Sequence, residues 1–424
     1  MTMQASARST SPLAVVLAVG GLYVAQSVIG GITWTGLPAI MREQGLALDH
    51  VGLLSLIALP WAVKFLWAPL VERFRLPSVG RNRSATIVAV GGGISVAGLA
   101  TVGALGPAAL PAVLACLTIV ALAAATVDIA CDGYAVESLP REQHGWGNAA
   151  QVGGAYLGSA IGGGLFLVIV SAYGWATGTW AMAALLVLLG VPFLLGARVA
   201  NKAPEIREHV PSLASALRRP EIRRGLLVAA LYVLAQKAAL MMLGPFLVDA
   251  GLDLASIGII NGVGGMIIGL AAALAGGALV RAIGARTVLV IALVLQAAAL
   301  FFFAAHAVLP ALPDAALVVA AVASSSGIMA LGFVALYAQF MHWSDTRQGG
   351  IDFTLFQSMD ALVSMAGGVA AGYAAEHLGY GVFFAGAGLV ALAVVPAMIR
   401  IAGSPSVGPA ARPEPVPVPA GEIQ

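Results

Sequence analysis

The chain has 424 residues, of which 60% are hydrophobic and only 9% are Asp, Glu, Lys or Arg. Ordinary soluble domains carry about 25% of these charged residues, so the composition excludes a water-soluble globular protein. The 21 Lys and Arg residues nearly balance the 19 Asp and Glu residues, and the net charge of +2 gives no reason to expect a nucleic-acid partner.

Windows of about 20 apolar residues, the length that crosses a bilayer core of about 30 Å, recur along the whole chain. The first follows a short N-terminus, and it is longer than the core of a signal peptide, so we interpret it as a retained span. Six windows lie at 13–38, 50–70, 85–104, 110–132, 146–171 and 175–197. Six more lie at 225–248, 255–279, 287–306, 314–340, 352–374 and 379–400. The pattern predicts an all-α integral membrane protein with twelve transmembrane helices in two six-helix bundles.

The basic residues indicate the orientation of these spans, because basic loops stay on the cytoplasmic side. The N-terminus, the even-numbered loops and the C-terminal tail hold 18 of the 21 Lys and Arg residues, and the odd-numbered loops hold only Arg42. Both termini are therefore predicted to be cytoplasmic. The predicted domains are a cytoplasmic N-terminus (1–12), an N-terminal six-helix bundle (13–197), a cytoplasmic linker (198–224), a C-terminal six-helix bundle (225–400) and a disordered Pro-rich tail (401–424).

The two halves repeat each other. The segments "GLALDHVG" (45–52) and "GLDLASIG" (251–258) share a pattern at an offset of 206 residues, and Gln151 and Gln357 keep the same offset. A parallel six-plus-six repeat resembles the major facilitator architecture, in which the substrate site lies near the middle of the membrane between the halves.

The chain shows no signature of nucleotide use or metal binding. None of its three lysines (64, 202 and 237) follows a glycine, so the phosphate-binding pattern G-x-x-x-x-G-K is absent and we expect no use of ATP. Its six histidines and two cysteines form no metal-ligating pattern, and no nucleophile–base pair is evident, so we expect neither a cofactor nor an enzyme. Uphill transport would then need an ion gradient.

Ionisable residues inside the spans are the candidates for coupling to that gradient, because they are costly in a bilayer and usually face a partner or the bundle interior. Lys64 lies eight residues before Glu72 at the end of span two, and Asp128 lies nine before Glu137 at the end of span four. This spacing places Lys64 and Asp128 at similar depth and predicts an ion pair, with Asp132 nearer the interface.

Two carboxylates at positions i and i+4 repel each other when both are ionised, which raises the affinity of one for a proton, whereas a nearby ammonium acts in the opposite direction. We therefore predict that Asp128, Asp132 and Lys64 form a proton-coupling cluster. The alternative is that the same residues form a structural latch between helices.

Polar and aromatic side chains inside the spans are the candidates for substrate contact. Lys237 and Asp360 either pair with each other or meet the substrate, and Trp34 is expected to anchor the membrane interface. For the aromatic and amide residues, packing between helices is the alternative to binding. The predicted substrate-binding residues are Tyr23, Gln26, Gln151, Tyr156, Tyr232, Gln236, Lys237 and Asp360.

Glycines recur every fourth residue in "GGAYLGSAIGGG", at Gly154, Gly158 and Gly162. They are predicted to form a face on which a neighbouring helix packs closely, and "GGVAAG" (367–372) is predicted to do the same.

Three segments resemble the AmpG-type muropeptide permeases and their relatives within the major facilitator superfamily. They are "PWAVKFLWAPLVERFRLPSVGRNRS" (60–84), "DIACDGYAVESLPREQHGWGN" (128–148) and "GGIDFTLFQSMDAL" (349–362). Within that group, "LPWAVKFLWAPLVERFRLP", "GRNRS" and "GIDFTLFQS" most resemble the RhtX/FptX-type siderophore permeases. The resemblance implies a multi-pass protein of the bacterial inner membrane, working as a monomer, that imports an iron–siderophore complex with protons. Its alternatives are a muropeptide permease, another small-solute facilitator, or a transporter-derived receptor.

The same resemblance extends to the loop after span two, where Glu72, Arg73, Gly80, Arg81 and Arg83 match the charge-latch motif of the superfamily. Glu72 stands where an Asp is usual, and the second-half copy lacks the acid, so a symmetric pair of latches is not expected. The predicted gating residues are Glu72, Arg73, Arg81 and Glu137.

Overall fold

The structure, a computed structural model, describes residues 11–43, 57–199, 205–252, 260–309 and 313–402. Ten helical stretches in these ranges are long and apolar enough to cross a membrane. A bilayer offers no hydrogen bonds to the backbone, so apolar runs of this length satisfy their peptide groups internally as helices. These stretches confirm the predicted all-helical class.

The helices of the first half are α1 (Pro12–Gly31), α2 (Leu37–Glu43), α3 (Leu59–Val63), α4 (Ala68–Arg75), α5 (Ser84–Leu105), α6 (Leu110–Ser138), α7 (His144–Ser159), α8 (Phe166–Tyr173) and α9 (Trp175–Val199). The linker contains α10 (Leu213–Arg218). The helices of the second half are α11 (Pro220–Val233), α12 (Leu243–Asp249), α13 (Gly265–Ile283), α14 (Ala285–Val308), α15 (Asp314–Val322), α16 (Met329–Trp343) and α17 (Gly349–Ile401).

Helix α17 contains the last two predicted spans in one stretch of 53 residues. It bends at Gly379, whose φ of 73° lies in the left-handed region that only glycine adopts without strain. The predicted boundary between spans eleven and twelve therefore coincides with a backbone break.

Several transmembrane stretches change from α-helical to wider π-helical geometry part way along. Such turns are rare in soluble proteins and often occur at functional positions. They lie at Ile32–Gly36, Ala160–Leu165, Leu234–Ala238, Ile260–Gly264 and Ala323–Ile328. Tighter 3₁₀ segments in the described ranges include Lys64–Leu66, Arg141–Gln143 and Ala239–Met242.

The predicted glycine face of α7 packs against α1. A methyl group on Gly158 would lie 2.4 Å from the carbonyl oxygen of Val24, and one on Gly162 would lie 2.0 Å from that of Val28. Gly154 approaches the same helix at Tyr23. In "GGVAAG", Gly367 packs against Ala238. Both glycine-rich segments therefore serve close helix packing, as predicted.

Replacing Gly162 with Ala is expected to lower stability by ~1–3 kcal/mol, because the added methyl collides with the backbone oxygen of Val28 and forces the helices apart. The matched control is Gly164→Ala, two residues away, where the methyl meets no atom within 4 Å. Thermal unfolding in detergent measures both. Equal melting temperatures for the two variants would contradict this packing account.

The two halves meet along several helix pairs, α7 with α13 and α16, and α6 with α17. A short antiparallel ladder, β1 (Val79–Gly80) with β2 (Glu205–Ile206), joins the loop after α4 to the linker. The repeat segment 45–52, residues 253–258 of the repeat segment 251–258, and the Pro-rich tail from residue 403 lie outside the described residues.

Candidate functional site

A cavity of about 670 Å³ lies between the two halves. Both halves contribute charged, aromatic and amide side chains to its wall, which is unusual for the interior of a chain with so few charges. The lining residues that carry these groups are Tyr23, Gln26, Trp34, Trp61, Asp128, Gln151, Tyr156, Lys237, Phe333, Tyr337, Gln357 and Asp360.

One side of the cavity borders a buried charge cluster from the first half, of which Asp128 lines the cavity while Lys64 and Asp132 lie behind it. The ammonium of Lys64, which is only 2% exposed, pairs with Asp128 Oδ2, as the spacing of the sequence predicts. Lys64 Nζ also lies 3.9 Å from Asp132 Oδ2. Asp132 is fully buried among protein atoms. The cluster thus combines one cation with two carboxylates one helical turn apart.

The two carboxylates of this cluster have different partners. Asp132 Oδ1 accepts a hydrogen bond of 2.8 Å from the Tyr23 hydroxyl and a longer one of 3.4 Å from the Gln151 amide. Among the described residues, nothing donates a hydrogen bond to Asp132 Oδ2. Asp128 Oδ2, in contrast, is occupied by Lys64. Within the described residues, Asp132 Oδ2 therefore accepts no hydrogen bond and has the Lys64 ammonium 3.9 Å away, which leaves this oxygen able to take up a proton.

Lys64 also connects the two halves, because its ammonium donates a hydrogen bond to the Gln357 side-chain oxygen on α17. Gln357 follows Gly350 by seven residues, and Lys64 precedes Glu72 by eight. Gly350 and Glu72 also meet, through a 3.1 Å hydrogen bond from the Gly350 amide to Glu72 Oε1. The two halves therefore touch at two levels about two helical turns apart.

The opposite side of the cavity holds a second ion pair. Lys237 Nζ lies 3.1 Å from Asp360 Oδ1 and 5.4 Å from the centre of the Phe333 ring. Asp360 also accepts hydrogen bonds from the hydroxyls of Tyr337 (2.9 Å) and Ser364 (3.0 Å). About a third of the Lys237 side chain is exposed, so this ammonium can reach a guest in the cavity.

Below the cavity, the halves close on each other at the end that contains residues 76–83, 205–219 and 344–350, which we call the linker end. Its centre is Arg75, which is fully buried. The Arg75 guanidinium donates to both oxygens of Glu72, at 2.7 and 2.8 Å, and to Glu137 Oε2 at 3.0 Å. Asn82 adds a 2.8 Å hydrogen bond to the same Glu137 oxygen.

Glycine allows the halves to approach closely at this end. A methyl group on Gly350 would lie 2.9 Å from the carbonyl oxygen of Ile129 and 2.5 Å from Glu72 Oε2. A methyl on Gly349 would lie 2.8 Å from Val136. The linker end is therefore sealed by backbone contact as well as by charge.

The linker itself binds the loops of both halves. On the first half, the Arg207 amide donates to the Ser78 carbonyl (2.7 Å), and Arg73 Nε donates to the Pro211 carbonyl (2.8 Å). On the second half, Gln348 Oε1 accepts from Ser215 Oγ (2.9 Å). Arg219 pairs with the buried Asp352. Arg81, the remaining predicted gating residue, is exposed.

Two predicted substrate contacts do not line the cavity. Tyr232 and Gln236 are fully buried in the second half. The Tyr232 ring packs edge-on against Phe333, with 6.3 Å between ring centres, and its hydroxyl lies against Gly332. The helical rotation of α11 and its π-helical extension turns Lys237 toward the cavity and these two side chains away from it, so their assignment to the substrate is corrected.

The other predicted substrate residues, Tyr23, Gln26, Gln151, Tyr156, Lys237 and Asp360, all line the cavity. Trp34, expected at the membrane interface, lines it too and packs edge-on against Trp61, with 5.7 Å between ring centres. Tyr156 reaches across the halves and donates to the carbonyl of Ser326 (3.2 Å) inside a π-helical turn.

Sequence reasoning missed Arg75, Gln357, Tyr337 and Trp61. The motif of the loop after span two contains Glu72, Arg73, Arg81 and Arg83, and nothing in it distinguishes Arg75 as the buried arginine. Gln357 had a signal, since it shares the repeat offset with Gln151 and both line the cavity.

The arrangement can exchange protons and accept a polar guest, because buried ionisable groups with a shared cavity can change charge when water access changes. Within the described residues, no group of three His, Cys, Asp or Glu side chains is placed to hold a metal ion.

The chain is similar in sequence to two curated relatives. The chain is 30% identical over 272 residues to the anhydromuropeptide permease of Escherichia coli (strain K12), a match that covers 62% of this chain and 54% of the permease. The chain thus spans about half the length of that relative. It is also 25% identical over 367 residues to an uncharacterised protein of Haemophilus influenzae, covering 82% of this chain and 85% of that protein.

Solved structures with the same fold include the human organic anion transporter MFSD10, with a TM-score of 0.67, and the Escherichia coli fucose:proton symporter, with a TM-score of 0.68. Each is 15% identical and covers 92% of this chain, so they show the fold alone. Residues 19–281, more than half of the chain, match the family model described as the Major Facilitator Superfamily. The chain therefore belongs to the major facilitator superfamily of multi-pass membrane transporters.

Proposed function

We propose that the chain is a proton-coupled secondary transporter that imports an anhydromuropeptide-like sugar–peptide across the bacterial inner membrane by alternating access. The observation that carries this proposal is the cavity between the halves: Asp128 lines one side and connects it to the buried lysine–carboxylate cluster, and a partly exposed lysine–aspartate pair lines the other side. The 30% identity to an anhydromuropeptide permease supports the substrate class.

The cavity suits a guest that combines sugar rings with charged groups. Trp34 and Trp61 offer aromatic faces and edges to a sugar ring, and Gln26 and Gln151 offer amide groups to its hydroxyls. Lys237 can bind a carboxylate of the guest, because its ammonium is partly exposed. The second candidate is the iron–siderophore complex expected from the sequence, which the aromatic wall would also suit, but the relative named above favours the muropeptide.

The proton site within the cluster is Asp132. Its Oδ2 is buried and accepts no hydrogen bond from any described residue, whereas Asp128 is held by Lys64. A proton on Asp132 would also relieve the repulsion between two carboxylates one turn apart. Asp128 and Lys64 then serve as the charge pair that tunes this site.

The proposed topology keeps the twelve spans, the five-part domain division and the cytoplasmic termini expected from the sequence. The ten helical stretches correspond to eleven spans, because the break at Gly379 divides the last stretch into two. Helices α3 and α4, which begin inside the window at 50–70, supply the twelfth span. The basic residues of the linker favour a cytoplasmic location for the linker end, because basic loops stay on the cytoplasmic side. With that end sealed, the conformation is outward-facing. Both cavity walls come from one chain, so a monomer suffices.

The test is uptake into proteoliposomes with an inward acid gradient, comparing labelled anhydromuropeptide with labelled ferric siderophore. We expect the anhydromuropeptide to accumulate only when the gradient is present. Accumulation of the siderophore instead would reverse the order of the two candidates, and uptake of either that ignores the gradient would overturn proton coupling.

A further inference from the structure

We infer that Gln357 is an inner lock between the two halves, through which the proton-coupling cluster holds the linker end closed. This inference rests on the proposed function, since it specifies how the charge of the cluster is passed to the second half. Gln357 acts through Lys64 and is therefore a positioning residue.

The geometry of Lys64 carries the inference. Its ammonium has three N–H donors and faces three acceptors: Asp128, Asp132 and Gln357. The two carboxylates belong to α6 in the same half as Lys64, and only Gln357 belongs to the other half. When the halves rock apart, Lys64 and its carboxylates move together, and the bond to Gln357 is the one that must break.

The hydrogen bond between Lys64 and Gln357 is the inner of two contacts between the halves, and the hydrogen bond between Gly350 and Glu72 is the outer one. Lys64 and Gln357 stand about two helical turns deeper than Glu72 and Gly350, on the same pair of helical segments. Opening the linker end therefore separates both contacts in turn. The outer contact joins a buried carboxylate to a backbone amide, and the inner one is the contact that touches ionisable residues of the cavity.

Protonation of Asp132 would loosen the lock. An ionised carboxylate 3.9 Å away helps to hold the ammonium at the position from which it reaches Gln357. Neutralising that carboxylate removes one of the two attractions that fix the ammonium, so the charge-assisted bond across the interface weakens. The cluster thus closes the linker end when it is ionised and releases it when it has bound a proton.

The experiment measures how far the linker end is open. Spin labels are attached at Glu142→Cys and Thr346→Cys, two exposed positions on opposite halves, after replacement of Cys116 and Cys131 by Ala. Electron–electron double resonance in detergent gives the fraction of molecules with the longer distance at about pH 8 and about pH 5. The unchanged chain is expected to show more of the longer distance at the acid pH.

In this background, Gln357→Leu removes the acceptor. We expect it to raise the open-to-closed ratio about tenfold at the alkaline pH, equivalent to ~1.4 kcal/mol, and to make the ratio nearly independent of pH. Gln357→Glu keeps an acceptor and adds a charge that binds Lys64, so it should hold the linker end closed at the alkaline pH. Opposite shifts from the two variants are not what general misfolding would produce.

The control is Gln296→Leu, which removes a fully buried glutamine whose 2.9 Å hydrogen bond to Ser324 stays within the second half, away from Lys64. It should behave like the unchanged chain. If Gln357→Leu gives the same distances as this control at both pH values, the lock is refuted. If Gln357→Leu opens the linker end while the unchanged chain ignores pH, the lock stands and the proton assignment of the proposed function fails.

Discussion

Replacing Asp132 with Asn is expected to abolish accumulation of substrate against its gradient while exchange of substrate across the membrane continues. Asparagine keeps the size of the side chain and can still accept from the Tyr23 hydroxyl, but it cannot bind or release a proton. With an inward gradient of about two pH units and one proton per substrate, accumulation should fall from as much as ~100-fold to ~1-fold. Proteoliposome uptake and counterflow, measured side by side, separate the two activities.

Asp128→Asn is the companion variant. It should also abolish accumulation, because Lys64 would lose its direct partner and be drawn to Asp132, whose ionised form would then be favoured. Ser364→Ala is the control, since it removes a hydroxyl that donates to Asp360 on the other side of the cavity and leaves the cluster intact. Normal concentrative uptake by both Asp variants would leave the cluster as a structural latch, the alternative that its sequence also allows.

Much of the fold could be predicted because the bilayer restricts the possibilities. A run of about 20 apolar residues satisfies its backbone there as a helix, so eleven of the twelve predicted windows fall on the ten observed stretches, and the window at 50–70 corresponds to none of them. The glycine face that begins on α7 could also be predicted, because glycines at every fourth residue lie on one side of a helix. The π-helical turns were not predictable, because they depend on packing against neighbouring helices and leave no pattern in composition.

The sequence predicts those parts of the site that depend only on how deep a residue lies in the membrane. Counting residues from the ends of spans two and four predicts that Lys64 and Asp128 lie at similar depth, and the structure contains this ion pair. Which face of a helix a residue occupies is harder to predict when both faces are apolar. This is why the sequence groups Tyr232 and Gln236, which lie five and one residues before the cavity-lining Lys237, with that lysine, although both side chains point into the second half.

Gln357 and Arg75 show a further limit. Each gains its importance from a partner far away in the sequence, Gln357 from Lys64 across 293 positions and Arg75 from Glu137 across 62. A single sequence carries no record of which distant residues meet. Arg75 is buried while Arg73 on the same helix is exposed, because Arg75 meets partners such as Glu137 that approach it only in the folded chain.

Replacing Arg75 with Leu is expected to destabilise the protein by ~3–5 kcal/mol, the largest effect of any single substitution considered. Arg75 is fully buried and is the cation that balances Glu72, which is also fully buried. Removing one partner of such a pair leaves an uncompensated charge in a site that water does not reach. The measurements are the yield of monodisperse protein in detergent and its thermal unfolding temperature.

The double variant Arg75→Leu with Glu72→Leu should recover a large part of the lost stability, because replacing both charges with apolar groups removes the unpaired carboxylate. The double variant should not restore a closed linker end, because the Gly350 amide would lose Glu72 Oε1, the oxygen to which it donates a hydrogen bond. Arg73→Leu is the matched control: Arg73 is on the same helix, is exposed and donates one hydrogen bond to a backbone carbonyl, so its loss should cost about 0–1 kcal/mol. If Arg75→Leu and Arg73→Leu melt at the same temperature, the buried guanidinium does not hold the linker end together, and the seal must then depend on the glycine contacts at Gly349 and Gly350.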